Sequence, residues 1–428
     1  MGQVIAIGIF LTPAAMAKSL GSPFWVLVVW LVMGGMALCG ALCYGELASA
    51  YPEAGGGYVY LREAWGPRLA FLYGWKCLLV MDPGVTAALA TGLAAYVAAI
   101  VPLAPAAQKA VAIASVVGLA AVNVVGLRLG DGLLKLLTGL KLAALASIVV
   151  WGLARGAGAW SHFVPFVAQR PGSTPLVPAL AGGLLAAFFS FGGWWEAAKI
   201  AGEVRDPGRT VPLALALGVA IVTLVYVAVS ATFIYLVPME AVTSGETFAA
   251  QAGTALFGSA GGKVLAAIVA LSVLGSLAAL VMLLPRVYYA MARDGVFLSA
   301  VGQLHPRLGT PARAIALQAF VASLLIALGT FEEIVAYFVF VTVAFIALTV
   351  AGVFVIRGRS SAPARPLPGY PVTPAVFLLS TLVLLGLLGA NRPKEAVIGV
   401  LVVALGVPVY AIVGASRPLR IDEQGGSA

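Results

Sequence analysis

The chain has 428 residues, of which 62% are hydrophobic and only 10% charged, with a formal net charge of +9. A water-exposed globular surface needs roughly 25% charged residues, so this balance excludes a soluble domain and leaves lipid as the solvent. The basic residues are spread over short segments, so the net charge reads as membrane topology and not as a nucleic-acid surface.

Lipid admits only helices or closed barrels as spanning structures. A barrel would show alternating segments of ~10 residues. This sequence instead has unbroken apolar runs such as 24–47 and 213–237, near or above the ~20 residues a spanning helix needs. The expected class is an all-α polytopic membrane protein of about twelve transmembrane helices. In chain order the spans are expected at 1–18, 23–50, 67–100, 109–127, 132–155, 177–200, 210–238, 262–292, 312–330, 333–356, 372–390 and 395–415. The third exceeds a bilayer thickness and should be tilted or partly outside. The opening MGQVIAIGIF has no basic region and no cleavage site, so no cleavable signal peptide is expected.

With the N-terminus placed in the cytoplasm, sixteen Lys and Arg fall on the inner side and seven on the outer. The positive-inside rule supports that orientation, with both termini cytoplasmic. The whole chain reads as one membrane domain in a cytoplasmic (inner) membrane. Cys39, Cys43 and Cys77 lie in apolar segments at a spacing that matches no ligand pattern, so neither a disulfide framework nor a metal site is expected. His162, beside Trp160, and His305, before Pro306, read as loop residues. No cluster of His, Asp or Glu suggests enzyme chemistry, and no cofactor is expected.

Two spans carry glycine where it weakens a helix. The first reads Ala6-Ile7-Gly8-Ile9-Phe10 with Pro13; the sixth reads Phe189-Ser190-Phe191-Gly192-Gly193-Trp194-Trp195-Glu196. Interior glycine costs a helix ~1 kcal/mol. A break inside the membrane frees N–H and C=O groups, and a zwitterion supplies a partner for each kind. Breaks five helices apart point to two inverted halves and a carrier; the competing reading is close helix packing at small residues. Intramembrane charges also need a reason. Lys141 lies in the middle of the fifth span, and either exchanges a proton, stands as a fixed cation, or ties helices together. Asp82, followed by Pro83, either meets a substrate ammonium, binds a proton, or pairs with Lys76. Glu46, near the inner end of the second span, and Glu196, after the sixth-span break, read as stabilisers of cytoplasmic gates or loops.

These residues together resemble the amino acid–polyamine–organocation superfamily, in the branch that holds the L-type amino-acid transporters. Ile7-Gly8-Ile9-Phe10 with Pro13 is similar to its first-helix signature. Gly40 to Leu47 and Pro52 to Tyr58 resemble its second-helix motif. Ser190-Phe191-Gly192-Gly193-Trp194 is similar to its broken sixth helix, and Ala201 to Pro207 to the loop that follows. Pro285 to Gly295, His305-Pro306-Arg307, Gly309-Thr310-Pro311 and Pro368 to Val372 extend the likeness over nearly the whole chain.

The resemblance implies a five-plus-five inverted repeat, 1–155 and 177–357, with two further helices in 370–415. It implies a secondary carrier of L-amino acids, neutral ones above all, working by alternating access through exchange or proton coupling. Ala6, Ile7 and Gly8 would then offer N–H groups to a carboxylate. Phe189, Ser190 and Phe191 would offer carbonyls to an ammonium beside Gly192 and Gly193, and Trp194 would close the site. Lys141 would bridge toward the first and eighth helices in place of a sodium site, with Ser272 and Ser276 as the eighth-helix candidates near it and Asp82 as a further coupling candidate. Two departures stand out. Ile7 replaces a small residue and should reshape the site, and the sequence begins almost on the motif, so the first helix is expected to be truncated. A polyamine or organocation permease, and a non-transporting sensor or truncated relative, are the alternatives.

Overall fold

The computed structural model describes residues 8–53, 55–125, 131–242, 248–293, 297, 299–359 and 368–414. The chain runs α1 (Gly8–Leu20), α2 (Pro23–Ala50), α3 (Gly57–Trp65), α4 (Pro67–Lys76), a π-helical turn (Cys77–Met81), α5 (Asp82–Ile100), α6 (Pro105–Val125) and α7 (Asp131–Ala154). After a loop with a short 3-10 turn follow α8 (Leu176–Phe191), a 3-10 helix (Trp194–Glu203), α9 (Pro207–Leu236), α10 (Phe248–Leu283), α11 (Pro285–Arg293), α12 (Ala312–Leu328), α13 (Phe331–Arg359), α14 (Val372–Asn391), α15 (Pro393–Ala404) and α16 (Gly406–Gly414). Among the described residues, nine helical stretches are long and apolar enough to cross a membrane. The shorter apolar helices 142–154 and α12, together with α1, complete a multi-pass bundle.

Proline explains most of the interruptions. Pro83 has no N–H for the carbonyl of Leu79, and a π turn precedes it; the Tyr337 hydroxyl of α13 donates to that carbonyl at 3.2 Å. Pro212 similarly deprives Gly208 of its partner, and the Ser49 hydroxyl of α2 donates there at 3.1 Å. The eighth span, expected over 262–292, is corrected by the structure. It starts at Phe248, bends at Gly258 (φ 73°), and stops at Leu283 before Pro285, after which α11 is a separate helix. The sixth span, expected to run to 200, ends as an α-helix at Phe191. The last is divided between α15 and α16, where the Trp75 indole takes the carbonyl of Val402 at 2.8 Å.

The packing follows one scheme. α1 lies on α8, α2 on α9, α5 on α10 and α6 on α12. Gly34 sits against Thr223 and, three turns on, Gly45 against Pro212, so α2 and α9 run antiparallel. Contacts between loops sort into two sets. Arg170 reaches Gly21 and Glu240, Lys109 reaches Ala327, and Arg392 reaches Glu332. In the other set Ser49 reaches Gly208, Thr310 reaches Val124, and Arg359 reaches Glu63. Each contact joins segments an even number of crossings apart, as a single bundle of alternating spans requires.

Candidate functional site

The sixth-span break is present. α8 ends at Phe191, Gly192 donates its N–H to Phe189 at 3.0 Å, and Gly193 adopts φ 96°, a left-handed conformation that glycine takes without strain. The chain then continues as a 3-10 helix, so the last carbonyls of α8 lack helical partners. That end carries the negative pole of the helix dipole, which favours a cationic group.

Three successive residues at this end reach three different parts of the bundle. Phe189 packs edge-on against Phe331 and Phe338 of α13, with centroids at 5.5 and 6.0 Å. Phe191 meets Tyr226 of α9 at 5.2 Å and Trp30 of α2 at 6.2 Å. Between them Ser190 faces α1. Its Oγ donates to Ala186 at 2.8 Å and lies 2.9 Å from Thr12 Oγ1, which donates to the carbonyl of Gly8 at 2.9 Å. Gly8 presses directly on Ser190: a Cβ at Gly8 would stand 2.4 Å from the Ser190 Cα.

Two tyrosines hold the backbone of this joint. Tyr226 donates to the carbonyl of Ser190 at 2.8 Å, and Tyr96 of α5 donates to the carbonyl of Phe10 at 2.8 Å. Both are fully buried. A carbonyl has two lone pairs, so each can accept a further donor. Neither tyrosine was singled out by the sequence, nor were Thr12 and Trp30. Polar atoms inside an apolar run were the available signal.

The structure brings Gly8 together with Ser190, flanked by Phe189, Phe191, Gly192 and Gly193. Ala6 and Ile7 lie outside the described residues. Trp194 points the other way along the break, onto Gly40 of α2 and edge-on to Tyr44 at 5.2 Å. Asp82 belongs to a separate polar row. Its carbonyl accepts from Thr86 at 2.7 Å, Thr86 accepts from Gln318 at 2.9 Å, and Gln318 accepts from Tyr288 at 2.8 Å. Lys76, also buried, sits 2.9 Å from the Met81 sulfur and 4.6 Å above the Tyr73 ring. This row connects to the joint through Gly84, which abuts Phe338, which in turn touches Phe189. Ser272 and Ser276 donate within α10, to Ile268 at 2.8 Å and to Ser272 at 3.1 Å. The Lys141 side chain lies outside the described residues; its helix, α7, packs on α10.

A loop closes one end of the bundle over α1. Arg170, nearly buried, donates to the carbonyls of His162, Val164 and Gly21 and pairs with Glu240. Ser22 donates to Phe166 and Val167 at 2.9 and 3.0 Å. Partial burial raises the Glu240 carboxyl, but its own backbone N–H and the Arg170 guanidinium outweigh that and hold it below its usual value.

A polytopic bundle whose sixth span breaks in mid-helix against the first has the architecture of a membrane carrier. The family model described as "Amino acid permease" matches residues 1–415. The chain belongs to that amino acid permease family. It is 28% identical to the serine/threonine exchanger SteT of Bacillus subtilis (strain 168) over 415 residues, covering 96% of this chain and 93% of the relative. It is equally 28% identical over 417 residues to the mouse (Mus musculus) Asc-type amino acid transporter 1 and to the human (Homo sapiens) large neutral amino acids transporter small subunit 2. Those alignments cover 96% of this chain and 78% and 77% of the relatives.

Proposed function

We propose that this chain exchanges neutral L-amino acids across the cytoplasmic membrane by alternating access, with both termini in the cytoplasm. The observation that carries the reading is the joint itself: a broken helix end bearing carbonyls, pressed against the glycine that begins α1. The ammonium of an amino acid would take the α8 carbonyls of Phe189, Ser190 and Phe191. Its carboxylate would take N–H groups of the Ala6-Ile7-Gly8 segment. Trp194 would seal the break from the α2 side. The pairing of α1 with α8, α2 with α9, α5 with α10 and α6 with α12 supports two inverted repeats, 1–155 and 177–357, followed by two added helices. The excess of Lys and Arg in one set of loops supports the orientation.

Exchange is favoured over proton symport because a relative matched along nearly its full length is described as an exchanger. Neutral substrates are favoured because the side chains that meet at the joint, Thr12, Tyr96, Phe189, Ser190, Phe191 and Tyr226, are all uncharged. Purified protein in proteoliposomes preloaded with an unlabelled neutral L-amino acid should take up labelled amino acid much faster than empty vesicles. Failure to take up any of the twenty would end the reading. Equal uptake by empty vesicles under an inward proton gradient would replace exchange with symport, and a role for Lys141, Ser272, Ser276 or Asp82 in carrying the proton would then be tested first.

A further inference from the structure

Glu46 and Arg357 form a charge site distant from the α1–α8 joint. The Arg357 guanidinium grips the Glu46 carboxylate in a two-pronged pair, Nε to Oε1 and Nη2 to Oε2, both at 2.6 Å. The side chains are only 5% and 16% exposed. The same guanidinium lies 3.9 Å over the ring of Tyr370, in the turn before α14. Three segments therefore meet on one cation: α2, α13 and the start of α14. Such a fork fixes geometry as well as supplying energy. When a nearly dry pair is parted, each charge must find water, so partly opened arrangements are disfavoured and the contact is effectively closed or open.

α13 links this pair to the joint. Its first half carries Phe331 and Phe338 against Phe189, one residue from Ser190. Phe338 also bears on Gly84 of α5, where a Cβ would come within 2.6 Å of the Phe338 Cβ. Nineteen residues further on, about 28 Å along a continuous helix, stands Arg357. α2, which carries Glu46, packs with α9 and α8, so it belongs to the part of the bundle that contains the break.

We propose that the Glu46–Arg357 pair, backed by Tyr370, is a latch that holds one face of the carrier shut, and that α13 couples it to Phe189 at the joint. Arg357 is on this reading a positioning residue for transport, not a substrate ligand. The inference rests on the transport reading, but its test does not need a known substrate. Cys43 is completely buried on α2, one turn before Glu46, and with Cys39→Ser and Cys77→Ser it becomes the one thiol in the chain.

In that background the rate of Cys43 labelling by N-ethylmaleimide should be low, and Arg357→Ala should raise it roughly tenfold or more, the factor by which losing even one hydrogen bond to a charged group shifts a two-state equilibrium. The same variant should raise net efflux from preloaded vesicles relative to exchange, a ratio that simple loss of folded protein does not change. The charge reversal Glu46→Arg with Arg357→Glu should restore both readouts. If Arg357→Ala does not fold, Arg357→Lys, which keeps the charge and loses the fork, carries the same two measurements. A folded variant with wild-type labelling and wild-type efflux-to-exchange ratio would overturn the latch, as would a charge reversal no better than the single change. No transport in any variant, with the labelling response intact, would instead refute the transport reading and leave the latch standing.

Discussion

Gly8→Ala is the sharpest probe of the joint. The new Cβ would stand 2.4 Å from the Ser190 Cα, 2.6 Å from its Oγ and 2.7 Å from its Cβ, where ordinary contact begins at 3.4 Å. Rotating the serine hydroxyl relieves only one of these clashes, because the shortest is with backbone. α1 and α8 must therefore part by about 1 Å at the point where the substrate is proposed to bind. Overpacking of this kind costs typically 1–3 kcal/mol of stability, which a bundle this size should survive. A displacement of 1 Å at a reacting or binding centre can cost about 10²-fold in rate. The expected result is a folded carrier, with a modestly lowered melting temperature by thermal shift and at least that order of loss in exchange. Ser190→Gly should rescue little, since the clash with the backbone at position 190 persists. Wild-type exchange in Gly8→Ala would show that the two helices do not meet this closely in the working protein.

Tyr226→Phe removes the donor from the Ser190 carbonyl, a hydrogen bond of the class worth about 1 kcal/mol. A several-fold change in apparent KM with unchanged expression is expected in a concentration series of exchange rates. Lys141→Ala should impair exchange without lowering the thermal midpoint; unimpaired exchange would remove Lys141 from the coupling set. The Glu240 carboxyl is held below its ordinary value in the folded state, so its contribution is complete at neutral pH and is lost as pH falls through that depressed value. Proteolysis within 156–174 should accordingly rise in acid, and Glu240→Gln should show the acid behaviour at neutral pH. Because Glu240 is largely exposed, the effect should be confined to this loop and leave the global midpoint unmoved.

The spans were legible because each must fill a bilayer with apolar residues, and α2 falls where its run predicts, from Pro23 to Ala50. The break after α8 was legible from Gly192-Gly193 taken together with the glycine of the first span five helices earlier, since adjacent glycines alone also occur inside unbroken helices, as at Gly34-Gly35 of α2 and Gly182-Gly183 of α8. What escaped the sequence is long-range partnering. Tyr226 in an apolar stretch looks like packing until its hydroxyl is seen on Ser190. Arg357 near a span end looks like one more inward-facing cation until it is seen gripping Glu46, 311 residues earlier in the chain. The eighth span was misplaced because the sequence shows neither that the helix begins as early as Phe248 and bends at Gly258, nor that it stops at Leu283 before Pro285. For Asp82 the sequence left three roles open, because it shows neither the π turn between Lys76 and Asp82 nor the Thr86–Gln318–Tyr288 row that starts at the Asp82 carbonyl.

The joint between α1 and α8 looks tight by distance, yet it has more short hydroxyl contacts than hydroxyl protons. Thr12 and Ser190 own one proton each, but three short contacts ask for one: Thr12 to the Gly8 carbonyl, Ser190 to the Ala186 carbonyl, and the 2.9 Å approach of the two hydroxyl oxygens. Whenever both protons serve the carbonyls, the two oxygens face each other with no hydrogen between them. Whenever one serves the other oxygen, a helix carbonyl gives up its side-chain donor but keeps its place in the helix. Parting α1 from α8 therefore sacrifices at most one hydroxyl–hydroxyl bond, because the two carbonyl contacts lie within each helix and travel with it. Such a bond is worth on the order of 1 kcal/mol net. What defines the joint is instead the close fit at Gly8, while Tyr96 ties α1 to α5 and Tyr226 ties α8 to α9. A contact that is snug in shape but weak in hydrogen bonding is what alternating access needs: it defines the closed state sharply and lets a ligand with its own donors and acceptors open it at small cost.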